Sequence, residues 1–265
     1  MSAVLATREV EKPWGMDVLP APFTDVPGKR IGEIWFEPPP DLPQLLVKYI
    51  FTSEKLSVQV HPSDQQLPGH GKEECWLVLD AEPGAVLGIG FREELDSESM
   101  RKAAIDGSIE NLLEWHTVRP GDFFYIPANV VHAIGAGVTL IEVQQNSDVT
   151  YRLYDYGRPR ELHLDKGMAV ALGGAYPREL HQLVPARGSL SVVDGPLFRL
   201  DQVEGAPGPD VVERYAGPLL VIPREGPVHI GGEEIAAGGC GLADSIGEVE
   251  FASSGLCLIA QPCFT

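Results

Sequence analysis

The stretch Leu56-Ser-Val-Gln-Val-His-Pro-Ser-Asp64 holds the first side chains whose types and spacing could do chemistry. It alternates as a strand does, so Gln59 and His61 point one way, with Ser57, and Val58 and Val60 point the other. An amide and an imidazole on one face in an apolar neighbourhood need partners. Either they meet a metal ion, or the strand is half exposed with a polar outer face. Glu74 opens the otherwise apolar run Cys75-Trp-Leu-Val-Leu79, where an acid must be paired or metal-bound. His132 follows the strand-breaking Pro127-Ala-Asn129. Gln59, His61, Glu74 and His132 together offer two imidazole nitrogens, a carboxylate and an amide oxygen. That set suits Zn²⁺ with room for water, or Fe, Mn or Co, and needs no thiolate. With open positions it is a catalytic rather than a structural site.

Three cations lie close to these residues in the chain or sit in similar surroundings. Lys48 interrupts the apolar run Leu45–Thr52, either as an edge residue reaching solvent or as a charge facing a site. Lys72 has Glu73 beside it as the plain ion-pair partner, and Arg152 has Asp148 and Asp155. His163, His181 and His229 stand alone and read as solvated or core histidines. Cys75, Cys240, Cys257 and Cys263 form no Cys-x-x-Cys spacing and read as reduced thiols, mostly buried small residues.

The elements that must position these groups are strands. With 29 Gly and 23 Pro in 265 residues, the composition fits an all-β protein with many turns. Strands are expected at 30–36, 45–52, 56–61, 71–80, 118–126, 140–145 and 150–155. The 45–52 and 56–61 strands lie close enough for a hairpin, and Gly135-Ala-Gly137 reads as a hairpin turn. Two short helices are expected at 96–105 and 108–115, with Ser97 and Ser108 as caps. Past residue 160, short strands recur at 190–193, 197–200, 218–222, 227–230, 240–243, 248–251 and 256–260. The expected division is a catalytic domain over 1–160 and a smaller β domain over 161–265. The formal charge of −18 disfavours nucleic acid and anionic membranes. An anionic small substrate would need local Lys or Arg. With no apolar signal core and no long apolar run, a cytoplasmic location is the expectation.

The spacing Gly121-x5-Pro127-x-Asn129-x2-His132 resembles the second metal motif of cupin β-barrels, with Asn where Gly is usual. Gln59-x-His61 and the more distant Glu74 take the place of the first motif. Further segments sharpen the likeness. They are Lys12-Pro-Trp-Gly15, Gly32-Glu-Ile-Trp35, Leu45-Leu-Val-Lys48, Leu56-Ser-Val-Gln-Val-His-Pro-Ser-Asp64, Gly71-Lys-Glu-Glu-Cys-Trp76, Pro120-Gly-Asp122, Ile126-Pro-Ala-Asn-Val-Val-His-Ala133 and Thr150-Tyr-Arg-Leu-Tyr-Asp155. Over residues 12–155 the chain resembles the type I mannose-6-phosphate isomerases, the zinc-dependent phosphomannose isomerases, in their compact bacterial form. The resemblance implies two cupin-like β-barrel or jelly-roll halves with a few short helices, and one zinc ion per chain on Gln59, His61, Glu74 and His132. It implies Arg152, Lys48 and Lys72 as catalytic residues, and Ser57, Lys48 and Arg152 as binding residues for a small sugar phosphate. The reaction implied is reversible interconversion of mannose 6-phosphate and fructose 6-phosphate through a cis-enediol. Longer members carry a helical insertion that this chain is too short to hold, and Ile134 stands where they often have Tyr. A cupin-type oxygenase using Fe²⁺, or a non-catalytic sugar-phosphate-binding cupin, would draw on similar residues.

Overall fold

The computed structural model describes residues 3–263. The first part of the chain forms β1 (Ala3–Val4), β2 (Thr7–Met16), β3 (Ile31–Phe36), β4 (Leu45–Phe51), β5 (Val58–Val60), β6 (Glu74–Ala81), β7 (Val86–Phe91), α1 (Ser97–Asp106), α2 (Ile109–Leu112), β8 (Leu113–Thr117), β9 (Asp122–Ile126), β10 (His132–Ile134), β11 (Val138–Gln145) and β12 (Tyr151–Tyr154). The rest forms α3 (Leu164–Val170), β13 (His181–Leu183), β14 (Leu190–Asp194), β15 (Phe198–Glu204), α4 (Pro209–Arg214), β16 (Leu219–Glu225), β17 (Val228–Ile230), β18 (Glu233–Ile235), β19 (Gly241–Ala243), β20 (Val249–Phe251) and β21 (Leu256–Pro262). No helix among the described residues is long and apolar enough to cross a membrane.

Among the described residues the strands form four antiparallel sheets. A seven-stranded sheet in the order β13-β9-β6-β11-β4-β3-β2 faces a five-stranded sheet in the order β12-β5-β10-β7-β8. A six-stranded sheet, β1-β19-β16-β21-β15-β14, faces a three-stranded one, β18-β17-β20. This is the expected all-β pair of cupin-like halves with a few short helices.

The alternation of side chains decides what each sheet face does. Along β11, Leu140, Glu142 and Gln144 face one way and Ile141 and Val143 the other. Leu140 joins Trp76, Val78, Leu87, Ile89, Phe124 and Ile126 between the first two sheets. Ile141 and Val143 join Val47, Tyr49, Cys75, Leu77 and Phe123 on the far face of the seven-stranded sheet. There they pack against Phe198, Leu200, Leu220, Ile222, Leu258 and Ala260 of the six-stranded sheet. Val58 and Val60 turn outward beneath Met100, Ala103 and Ala104 of α1 and Met168 of α3, which frees Gln59 to face inward. Trp76, Phe124 and Leu140 are fully buried. Each contributes roughly 2–3 kcal/mol by leaving water, an apolar floor able to offset charged groups held at the barrel mouth.

Two segments tie the halves together. β1 pairs with β19 of the six-stranded sheet, and β13 pairs with β9 of the seven-stranded sheet. The described residues from 164 to 183 thus pack on or pair with the first two sheets.

Several local expectations need correction. β4 and β5 are not a hairpin, because they lie in different sheets. The turn at Gly135-Ala-Gly137 likewise passes the chain from β10 in one sheet to β11 in the other. The cap of α1 is Asp96, whose Oδ1 accepts from the Ser99 amide at 2.7 Å, rather than Ser97. Ser108 makes no side-chain cap, and the second helix stops at Leu112. From Leu113 the chain pairs with β7 as β8, where Leu113 and Trp115 find partners that a longer helix would forgo.

Candidate active site

Strand register gathers the site. On the five-stranded sheet His132 and Arg152 both lie directly opposite Gln59, from strands on its two sides. Directly opposed residues share a face, so all three point into the barrel. On the seven-stranded sheet Trp35, Lys48, Glu142 and Trp76 form one cross-strand row. Gln144 and Glu74 form the next row, nearer the mouth.

His132 is held by the turn before it. Asn129 adopts φ +74°, a left-handed conformation open to Gly and tolerated by Asn. That accounts for Asn where the cupin motif has Gly. Its backbone N–H donates to His61 O at 2.9 Å and its side chain to Gln66 Oε1 at 2.6 Å. The turn that aims His132 is therefore stitched to the backbone of His61 itself.

Both imidazoles are oriented by carbonyls. His61 Nδ1 lies 2.8 Å from Val149 O, and His132 Nδ1 lies 2.9 Å from Val130 O. A carbonyl only accepts, so each Nδ1 carries the hydrogen and each Nε2 presents a lone pair inward. Burial first, then the neighbouring Lys72 charge, pushes the His132 pKa down to about 4 and that of His61 well below its usual value. Both rings are neutral at pH 7. Glu74 is fully buried, and its Oε1 lies 3.3 Å from His132 Nε2 with no hydrogen-bond partner. Lys72 Nζ reaches His61 Nε2 at 3.1 Å and pairs with the other Glu74 oxygen, but Oε1 and the His132 lone pair face each other with no donor between them, a contact that a cation would relieve. The ligand atoms of His61, Glu74 and His132 lie within 4.8 Å of one another. With nitrogen and oxygen donors and hydrogen-bonded rings, this group fits a single zinc ion. Gln59 stands at its edge. Its Nε2 is 3.3 Å from His132 Nε2, while its Oε1 accepts from Ser57 Oγ at 3.3 Å. A half-turn of the amide would bring the oxygen toward the group.

Lys48, Ser57, Gln59, Lys72 and Arg152 all line one cavity of about 270 Å³, together with Trp35, Glu142, Asp148, Thr150 and Arg160. Ile134 forms part of its wall. Lys72 and Gln59 contact His61 and His132, so the cavity adjoins the metal group. Lys72 pairs with Glu74 rather than with Glu73. Lys48 donates to Glu142 Oε1 at 2.8 Å and to Gln144 Oε1, and lies over the Trp35 ring. Arg152 is half-buried and pairs with neither Asp148 nor Asp155. Its Nη1 donates to Glu161 O at 2.9 Å, and its Nε is buried without a partner.

Glu142 is the residue that sequence reasoning passed over. It is 3% exposed, bonded to Lys48 and Trp76 Nε1 and 4.0 Å from Lys72. Burial alone would raise its pKa, but Lys48 and Lys72 outweigh burial and draw it down to about 2. Glu74 shifts the opposite way, up to about 7, through burial and the Glu142 charge beside it, against the pull of Lys72. The signal for Glu142 was an acid and Gln144 at alternate positions of an otherwise apolar strand, the pattern that singled out Gln59 and His61.

No family model matches the chain. It is 44% identical over 141 residues to the mannose-6-phosphate isomerase ManA of Bacillus subtilis strain 168, covering 48% of this chain and 43% of that protein. It is 34% identical over 209 residues to the mannose-6-phosphate isomerase of Streptococcus mutans, covering 72% of this chain and 65% of that one. The chain thus spans about half to two-thirds of the length of the curated relatives it matches. Among solved structures, the mannose 6-phosphate isomerase from Bacillus subtilis superposes with a TM-score of 0.75 at 22% identity, covering 97% of this chain and 98% of that one. A zinc-bound mannose 6-phosphate isomerase gives 0.73 at 14% identity, covering 99% and 100%. At such identities the superpositions establish the fold, and the sequence matches carry the kinship. The chain is similar in sequence to mannose-6-phosphate isomerases over about half to nearly three-quarters of its length, and it shares their fold.

Proposed function

We propose that the protein interconverts mannose 6-phosphate and fructose 6-phosphate with one zinc ion per chain. The observation that carries this reading is a buried His61–Glu74–His132 group adjoining a cavity lined by Lys48, Lys72, Arg152 and Arg160. Such a cavity suits a small anion, in a protein whose overall charge would repel one. The names of the relatives support the substrate.

His61, Glu74 and His132, with Gln59 completing the set, would hold the zinc ion, which would supply Lewis-acid polarisation of a substrate oxygen. The remaining work falls to the chain. Aldose–ketose isomerisation moves one proton between C1 and C2 through a cis-enediol, so a base must take a proton from one carbon and return it to the other. Glu142 is the buried carboxylate beside both site lysines, and they hold it ionised at neutral pH. Its low pKa makes it a weak base until substrate oxygens draw the ammonium groups away. Lys72 stays charged, since Glu142 and Glu74 outweigh its burial. Lys72 and Lys48 then stabilise the negative charge that develops on the sugar oxygens. Arg152 binds the anionic end of the substrate, and Ser57 fixes the Gln59 amide.

The test is incubation of the zinc-loaded protein with mannose 6-phosphate in deuterated water. The reading expects fructose 6-phosphate to form and solvent deuterium to enter the exchanged carbon position. Absence of product in protein shown to hold zinc would overturn it.

A further inference from the structure

Asp155 ends β12 and is 2% exposed. Such a carboxylate persists only when paired, and Asp155 is paired twice. Arg160 Nε and Nη2 donate to its two oxygens at 2.5 and 2.6 Å, a fork-on-fork contact. Arg158 Nη2 lies 3.1 Å from Oδ1, and the Arg158 backbone N–H donates to Asp155 O at 3.0 Å. Arg158 is spent on structure, because its Nη2 also donates to Lys55 O at 2.5 Å.

Arg160 differs. It lines the active cavity together with Arg152. The Asp155 fork takes Nε and Nη2 and leaves Nη1 without a partner among the described residues. Arg152 also leaves Nη2 without one, and has its unpartnered buried Nε. The same segment fixes both guanidinium groups. Arg152 Nη1 is tied to Glu161 O, and its backbone is bonded in both directions to His163 at 3.1 and 2.7 Å. Two guanidinium groups with idle N–H donors on one wall, each locked by its other donors, form a preorganised receptor for a tetrahedral dianion. A single carboxylate beneath them lowers the repulsion between the cations while a ligand is absent.

We infer that Asp155 is a positioning residue that holds Arg160 in the cavity wall as the second guanidinium, beside Arg152, for the phosphate of the substrate. This deepens the proposed function and rests on it for the identity of the substrate. The anion receptor itself does not depend on turnover.

The experiment measures binding of inorganic phosphate by calorimetry, and KM for mannose 6-phosphate, in the zinc-loaded full chain and in Arg160→Ala, Arg160→Lys, Asp155→Asn and the Asp155→Asn/Arg160→Ala pair. Loss of one charge-assisted contact is expected to weaken phosphate binding roughly tenfold in Arg160→Ala. Asp155→Asn and Arg160→Lys should lose a comparable factor, since neither keeps the fork, and the double variant should be no worse than Arg160→Ala alone. KM should rise in step with phosphate Kd while zinc content stays constant. If Asp155→Asn or Arg160→Lys binds phosphate as the unsubstituted protein does, Asp155 does not position Arg160 and the inference falls. It also falls if Arg160→Ala binds normally. Should Asp155→Asn not fold, Arg160→Lys decides alone. Phosphate binding with the expected losses in a protein that makes no fructose 6-phosphate would overturn the isomerase reading and leave this inference standing.

Discussion

At the residue scale, the metal group is defined by what its members lack. His61 and His132 have given their Nδ1 hydrogens to backbone carbonyls, and Glu74 keeps one buried oxygen without a donor. The metal-free protein therefore admits a proton on Glu74, whose pKa is raised to about 7 by burial and the Glu142 charge. A zinc ion must displace that proton. Apparent zinc affinity should accordingly rise ~10-fold per pH unit below about pH 7 and level off above it. The histidines compete only in more acidic solution, since that of His132 lies at about 4. A competition titration against a chromophoric chelator between about pH 5.5 and 8 checks this, and an affinity independent of pH below 7 would contradict it. Glu142 carries a second prediction. Glu142→Gln should keep its zinc, since no ligand is touched, and lose roughly 10²–10⁴ in kcat. A variant with near-normal kcat would remove Glu142 from the proton transfer. The eight residues singled out in the sequence, from Lys48 to Arg152, do converge in space. Glu142 escaped although it alternates with Gln144, because its partner Lys48 lies 94 residues away and only the register of β4 on β11 brings the two together; Arg160 escaped because it lies just past the motif that ends at Asp155, in a segment with no strand pattern.

At the scale of elements, short strands were legible and their pairing was not. The alternation of Gln59 and His61 with Val58 and Val60 predicts which side chains share a face, and β5 obeys it. It says nothing about which sheet a strand joins. β4 and β5 are close in sequence, yet the corner at Thr52–Leu56 carries the chain across the barrel instead of back along it. Thr52 Oγ1 bonds to Gly135 O at 2.8 Å there, tying that corner to the other crossing between the sheets. Asn129 shows how one backbone angle serves the site. Asn129→Ala should cost about 1–2 kcal/mol for the left-handed conformation on top of the lost side-chain bond to Gln66 and lower zinc occupancy, whereas Asn129→Gly loses only that bond and stays closer to normal in both. Thermal melts with metal analysis make the comparison. Equal behaviour of the two variants would mean that the turn does not aim His132.

At the scale of the molecule, the seven-stranded sheet is buried on both faces, by the barrel core on one side and by the six-stranded sheet on the other. Tyr49, Phe123 and Phe198 are fully or almost fully buried in that second contact. The backbone also crosses between the halves at β1 and β13. We propose that the expected domains over 1–160 and 161–265 behave as one cooperative unit, so calorimetry should give a single unfolding transition whose midpoint rises with added zinc. Two separate transitions, with zinc moving only one, would show independent halves. The C-terminal strands were readable one by one from their Gly and Pro boundaries, but the apolar face they share with the first half was not, since alternation does not say what a face packs against.

We propose that zinc on the His61–Glu74–His132 group makes this cavity an isomerase site. The most direct measurement is the rate of fructose 6-phosphate formation from mannose 6-phosphate by protein stripped of metal, then by the same protein after one equivalent of Zn²⁺. Stripping is expected to abolish turnover and zinc to restore it, with no recovery in His132→Ala. Undiminished turnover in the stripped protein, or none in protein that has rebound zinc, would contradict it.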